Sequence, residues 1–319
     1  MTAKPLRLAT RTSPLALWQA HHVRDLLAGL GFSSELVHVS TKGDRVTDRP
    51  LHQVGGDGLF TREVQEVVLA GQADVAIHSL KDLPTAHVPG LSLAGVPSRG
   101  PTGDAWVSRH HGTISEVPQG ARVATGSMRR RAQLLSRRPD LKVEDLRGNI
   151  GTRLSKLEDA GLAGIILAEA GLRRLGLDSE IREIIDPEWI LPAIGQGALG
   201  LECRADDAAA VDALGRITDL ATLSLVLAER AMLKALGGGC LVPVGCLARA
   251  EGDTGHLAAV VLDENGTRRL EARHSGPLAD PVGLGEATAK ALVDAGAEEM
   301  LAKVEKRYIG QPRVQSGGT

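Results

Sequence analysis

Asp74-Val75-Ala76-Ile77-His78-Ser79-Leu80-Lys81-Asp82-Leu83-Pro84-Thr85 sets the architecture expected of the chain. Asp74 to Ile77 is a short apolar run, too short for a helix, and reads as a buried strand that ends in a polar loop. In open α/β sheets ligands bind outside the carboxyl ends of the strands, so Lys81 and Asp82 stand where a site would form. Taken alone, the two charges read first as a solvated ion pair, worth under about 1 kcal/mol.

Upstream, Leu6 to Ala9 reads as a strand and Ser13 as the N-cap of a helix with Pro14 at its first position. Arg11 therefore lies beside free backbone N–H groups. Downstream, Gly95 to Gly103 carries Pro97 and Pro101 and reads as a domain crossing. Arg122 to Ala124 is then a strand, Thr125-Gly126-Ser127 a turn, and Ser127 the N-cap of a helix opened by Met128-Arg129-Arg130-Arg131. Cations in a first helical turn oppose the helix dipole by a few tenths of a kcal/mol each, and an anionic ligand would explain them. Lys142 to Leu146 is a strand running into Arg147-Gly148-Asn149-Ile150-Gly151-Thr152-Arg153. A helix from Leu154 to Asp159 and a strand from Gly164 to Ala168 follow. Four strand-to-helix turns in two consecutive α/β units thus bear arginine or lysine. The repetition points to a cleft for a ligand with several carboxylates or phosphates.

The glycine-spaced, apolar segment from Pro192 to Arg204 fits a recrossing between domains, and helices from Asp206 to Ile217 and Leu220 to Leu236 lead on to Gly237-Gly238-Gly239-Cys240-Leu241-Val242-Pro243. Three glycines remove every β-carbon ahead of the thiol, so a large group can approach Cys240 closely. The plainer local reading is a small hydrophobe in a turn, since free cysteine is among the most buried residue types. Strands at Val244 to Ala250, Leu257 to Leu262 and Arg268 to His274 follow, with a hairpin turn at Asp263-Glu264-Asn265-Gly266. Helices near Pro281 to Ala295 and Ala297 to Val304 would cover that sheet, and the tail from Gly310 is expected to be disordered.

The 319 residues suggest two or three domains, and 43% apolar with 24% charged residues is a globular balance. An N-terminus without a signal-peptide core, and no run approaching a membrane span, make a cytoplasmic protein with no membrane partner the expectation. Only 2% aromatic residues and a net charge of -2 argue against a nucleic-acid partner. The three cysteines, Cys203, Cys240 and Cys246, and the pairs His21-His22 and His110-His111 match no metal spacing, so no metal is expected.

Leu6-Arg7-Leu8-Ala9-Thr10-Arg11-Thr12-Ser13-Pro14-Leu15-Ala16, the His78 to Asp82 loop, Leu146-Arg147-Gly148-Asn149, Gly195-Gln196-Gly197-Ala198 and Gly238-Gly239-Cys240 together resemble the porphobilinogen deaminase family over nearly the whole chain. The resemblance implies an α/β fold with two periplasmic-binding-protein-like domains flanking a cleft, and a smaller C-terminal α/β domain with a three-stranded sheet. It implies domain 1 at residues 1–98 and 199–217, domain 2 at 99–198 and domain 3 at 218–309. The implied activity is that of a monomeric transferase, hydroxymethylbilane synthase. Such an enzyme deaminates porphobilinogen, joins four of these pyrroles head to tail on a covalent dipyrromethane primer, and releases hydroxymethylbilane for tetrapyrrole synthesis.

By the same resemblance Cys240 is the thioether anchor and Asp82 the catalytic carboxylate. Lys81, Ser13, Asp44, Thr125, Ser127, Arg129, Arg130 and Gly148 match cofactor contacts; Arg11, Arg147 and Arg153 match substrate contacts; Asp48 is a weaker match near the primer. The chain departs from many relatives at Gln53 and Asp57, where lysine is frequent, and at Gly126, where serine is usual. Two other readings stay open. A non-catalytic binder of an organic anion would leave the Cys240 turn idle, and a lysine-dependent enzyme would use Lys81 as a Schiff-base amine.

Overall fold

Apolar strands alternating with capped helices build two mixed sheets and a third, smaller one in the computed structural model, which describes residues 4–41, 43, 58–159, 161–237 and 242–308. The first lobe opens with β1 (Leu6–Arg11), α1 (Pro14–Gly29), β2 (Ser34–Val39), α2 (Arg62–Leu69), β3 (Val75–Ser79) and β4 (Leu91–Gly95). The second holds β5 (Asp104–Val107), β6 (Arg122–Ala124), α3 (Met128–Arg137), β7 (Lys142–Glu144), α4 (Ile150–Asp159), β8 (Gly164–Ala168), α5 (Glu169–Arg174) and β9 (Glu183–Ile185). The chain returns to the first lobe through β10 (Leu199–Arg204) and α6 (Ala208–Arg216). A third lobe follows: α7 (Leu220–Ala235), β11 (Val244–Glu251), β12 (Thr254–Leu262), β13 (Arg269–Pro277), α8 (Pro281–Asp294) and α9 (Ala297–Tyr308).

The two five-stranded sheets have corresponding orders, β2-β1-β3-β10-β4 and β7-β6-β8-β5-β9. In each, parallel strands meet one antiparallel strand, β10 or β5, and that strand is where the chain arrives from the other lobe. Both faces of each sheet are covered, which is why the strands read as unbroken apolar runs. Val75 and Ile77 pack with Ala20, Val23 and Leu27 of α1, while Ala76 packs on the opposite face with Val64 and Val68 of α2. Ile165 and Leu167 face Leu157 of α4, whereas Ile166 faces Trp106 and Leu134. The third lobe packs α7 and α8 on the β11-β12-β13 sheet around Met232, Val244, Cys246, Val261, Leu284 and Leu292. This is the α/β class expected from the sequence, with its separate three-stranded sheet.

The lobes meet at one buried carboxylate. Glu229 of α7, with no exposed surface, accepts from Arg99 Nη1 at 2.8 Å and Nη2 at 3.0 Å. It also accepts from the backbone N–H groups of Gly195 at 2.7 Å and Ala248 at 3.0 Å. Arg99 in turn donates from Nε to Gln196 O at 2.8 Å. Both crossings between the first two lobes are thereby tied to the third.

Several elements differ from the sequence reading. The helix expected from Leu154 begins at Ile150, because Asn149 Oδ1 accepts from Thr152 N at 2.9 Å and caps it. β4, β5, β9 and β10 are absent from the sequence reading or fall in its connections; Asp104 opens β5 and Glu202 interrupts β10, and each carboxylate is buried against a partner from distant sequence. Among the described residues no helix is long and apolar enough to cross a membrane.

Candidate active site

Beyond β3 the chain makes a 3-10 turn, Leu80–Asp82, closed by Leu83 N donating to Leu80 O at 3.1 Å. Leu80 N donates to Ala198 O at 3.0 Å, and its side chain is buried with Leu83, Val96, Ala198 and Val226. A core residue therefore fixes the turn that carries Lys81 and Asp82, both half-buried. Burial pushes the Lys81 ammonium down to about 8; Asp82 and Asp104 oppose the shift, and Arg130 and Arg129 add to it. Three of those four neighbours belong to the second lobe, so the β3 turn faces the start of α3 across the cleft. Burial likewise holds the Arg153 guanidinium down to about 10, with Arg130 and Arg147 adding and Asp82 opposing. Asp82 is thus within electrostatic reach of a cation from each lobe.

Arg129 and Arg130 are buried on α3 against Asp104, the first residue of β5. Arg129 Nη1 donates to Asp104 Oδ2 at 2.7 Å, and Arg130 donates to Oδ1 from Nε at 3.0 Å and Nη2 at 2.8 Å. Gln196 Nε2 adds a bond to the same Oδ1 at 2.9 Å. Burial would raise the Asp104 carboxyl, yet the two arginines hold it well below the usual carboxylate range. Arg131 donates to Val143 O at 2.6 Å. The expectation that an anionic ligand is needed to explain three arginines at this helix start is corrected here: Asp104 and a strand carbonyl already answer them. Two guanidiniums against one carboxylate still leave the cluster positive.

Among the described residues, the others named from sequence lie at strand-to-helix turns. Ser13 caps α1 and accepts from Ala16 N at 3.3 Å, and Ser127 caps α3, accepting from Arg130 N at 3.4 Å. Thr125 is buried and accepts from Ser127 N at 3.3 Å. Arg11 ends β1 with its guanidinium 4.3 Å from the Phe60 ring centroid. Arg147 and Arg153 bracket the α4 start, where Arg153 Nε donates to Gly148 O at 2.8 Å. Gly148 has φ +110°, and a β-carbon there would lie 2.6 Å from Thr152 Cγ2, so the turn requires glycine. At Gly126 a β-carbon would meet Leu146 O at 2.5 Å, so this backbone leaves no room for a side chain there.

Cys240 and Asp44 lie outside the described residues, as do Asp48, Gln53, Asp57 and the tail from Gly310. Cys203 and Cys246 are both buried, and burial pushes each thiol above its ordinary value. The sequence reading missed Asp104, Gln196, Gln19 and Arg174. Gln19 donates to Ser79 Oγ at 2.7 Å, and Arg174 donates to Gly197 O at 2.6 Å while lying 5.2 Å from the Trp18 ring centroid. The available signal was a carboxylate opening the apolar run Asp104-Ala105-Trp106-Val107, and a glutamine set between two glycines.

Residues 6–212 match the family described as porphobilinogen deaminase, dipyromethane cofactor binding domain. Residues 223–294 match that described as porphobilinogen deaminase, C-terminal domain. Among solved structures, the methionine-binding protein MetQ is similar at 15% identity and a TM-score of 0.44, covering 66% of this chain and 89% of that one. A nutrient-binding protein from Burkholderia cenocepacia, bound to methionine, is similar at 12% identity and a TM-score of 0.42, covering 66% and 89%. An ABC transporter periplasmic substrate-binding protein from Coxiella burnetii is similar at 12% identity and a TM-score of 0.42, covering 70% and 96%. With both of its family domains matched in order over most of its length, the chain belongs to the porphobilinogen deaminase family.

Proposed function

We propose that this chain, a hydroxymethylbilane synthase, uses the Lys81-Asp82 turn and the facing arginines to hold pyrrole carboxylates while Asp82 assists loss of ammonia from porphobilinogen. The observation that carries this reading is the meeting of both lobes at Asp82: Lys81 from one and Arg153 from the other each feel its charge.

The residues present fit a dipyrromethane. Its acetate and propionate groups would answer cations that burial and like-charged neighbours now hold below their ordinary values. When bound, it supplies the nucleophilic pyrrole carbon to which each new ring is joined. Cys240 would hold it through sulfur, the other two thiols being buried. Lys81, Ser13, Asp44, Thr125, Ser127, Arg129, Arg130 and the Gly148 turn would position it. Arg11, Arg147 and Arg153 would bind the carboxylates of incoming substrate, each charge-assisted hydrogen bond contributing about 1.5–3 kcal/mol. Asp82 would accept from pyrrole N–H and stabilise the cation that develops as ammonia departs. The domain division that accompanies this reading is 1–98 with 199–217, 99–198 and 218–309, in a chain acting as a cytoplasmic monomer.

Incubating pure protein with porphobilinogen, following ammonia release and weighing the denatured chain tests the proposal. Ammonia release and a mass above the bare polypeptide, lost in Cys240→Ser, are expected. A bare-polypeptide mass with all three cysteines open to alkylation and no ammonia would defeat it.

Lys81 gives a pH prediction. Its folded value of about 8 lies below the ordinary 10.5, so charging it in the fold costs stability, and that cost is relieved as pH rises from about 8 toward 10.5. A carboxylate of the primer favours the charged form, so uptake of the dipyrromethane by primer-free chain is expected to weaken above pH about 8. Lys81→Arg should flatten that decline; a profile identical to the parent's would exclude Lys81 as its source.

A further inference from the structure

Arg230 lies on α7 in the third lobe and reaches into the first. Its Nη1 donates to Leu83 O at 2.9 Å and its Nη2 to Pro84 O at 2.7 Å, the carbonyls of the two residues that follow Asp82. On the other side of Asp82 the turn is held by Leu80, through its N–H to Ala198 O and its buried side chain. Asp82 therefore sits between a core-anchored residue and a guanidinium fork. Pro84 has no N–H with which to anchor the segment, and Leu83 is held extended before it at φ -84° and ψ 117°. A cavity of about 20 Å³, roughly one water, separates this turn from Ile194 and Leu233, so apolar packing alone leaves slack here. The charge of Arg230 is countered by Glu202, which Gln65 fixes at 2.8 Å and His78 approaches at 3.1 Å.

We propose that Arg230 is a positioning residue for Asp82: its two hydrogen bonds set where the turn presents the carboxylate to the pyrrole N–H groups. The helix that carries Arg230 runs on toward the segment containing Cys240. The same residue thus keeps the reacting carboxylate in register with the lobe that would anchor the growing chain. The inference rests on the reading of Asp82 given above.

The test uses the primer-bearing enzyme with porphobilinogen. Arg230→Met keeps the apolar stem and removes the donors; Arg230→Lys keeps one charge without the fork. Misplacing a reacting group by about 1 Å can cost about 100-fold, so kcat per primer-bearing chain is expected to fall by that order in Arg230→Met. KM should stay within about threefold, and Arg230→Lys should recover part of the loss. In an Asp82→Glu background, where the carboxylate is already displaced, adding Arg230→Met should cost less than about threefold. An active parent with Arg230→Met at full kcat per primer-bearing chain, or an undiminished 100-fold loss in the Asp82→Glu background, overturns the inference alone. A parent that releases no ammonia overturns the functional reading and this inference with it. Should Arg230→Met fail to fold, Arg230→Gln carries the same comparison.

Discussion

Asp82→Ala is expected to reduce turnover by about a thousandfold or more while the protein stays folded. A carboxylate about 4 Å from a developing cation, at an effective dielectric near 20, stabilises it by roughly 4 kcal/mol, which corresponds to that factor in rate. The fold should tolerate the change because Asp82 is half-buried, and the turn around it is held by Leu80 and Arg230 rather than by its own side chain. Ammonia release and a thermal melt on the same preparation check both halves. Turnover near that of the parent would refute the role of Asp82. So would Asp82→Asn at full activity, since it keeps the shape and removes only the charge.

Glu229→Ala should have the largest effect on stability, a loss of roughly 3–5 kcal/mol, the usual consequence of removing one partner of a buried ion pair. Arg99 would remain buried without its carboxylate, and the N–H groups of Gly195 and Ala248 would lose their acceptor. Total stabilities of about 5–15 kcal/mol make this a large fraction. Urea unfolding measures it, and Glu229→Gln, which can still accept, should lose less. A change under about 1 kcal/mol in Glu229→Ala would show that the junction is held by other contacts.

Local signals carried over where a short segment determines its own structure. Ser13 and Ser127 cap the helices that follow them because their hydroxyls reach N–H groups three residues on, a contact readable from sequence alone. The arginines of α3 were legible as a type but not as a contact, since Asp104, the partner of Arg129 and Arg130, lies 25 residues before Arg129 in a strand of the same lobe that local sequence did not mark. Lys81 and Asp82 read locally as a solvated pair, because the charged neighbours of Lys81, Arg129, Arg130 and Asp104, come from a lobe its own segment cannot specify. β5 and β10 were missed because each pairs antiparallel with strands distant in sequence, β5 with β8 and β9 and β10 with β3 and β4.

β10 also dictates an order of assembly. During synthesis the N-terminal lobe emerges first, yet the place between β3 and β4 stays empty until Leu199–Arg204 have been made. The middle lobe, whose sheet strands all lie between Asp104 and Ile185, can close before then. Of these two lobes, the one made first is accordingly the later to finish folding. A chain cut short at the second crossing would hold a completed middle and an N-terminal half with two exposed strand edges, open to pairing with other chains.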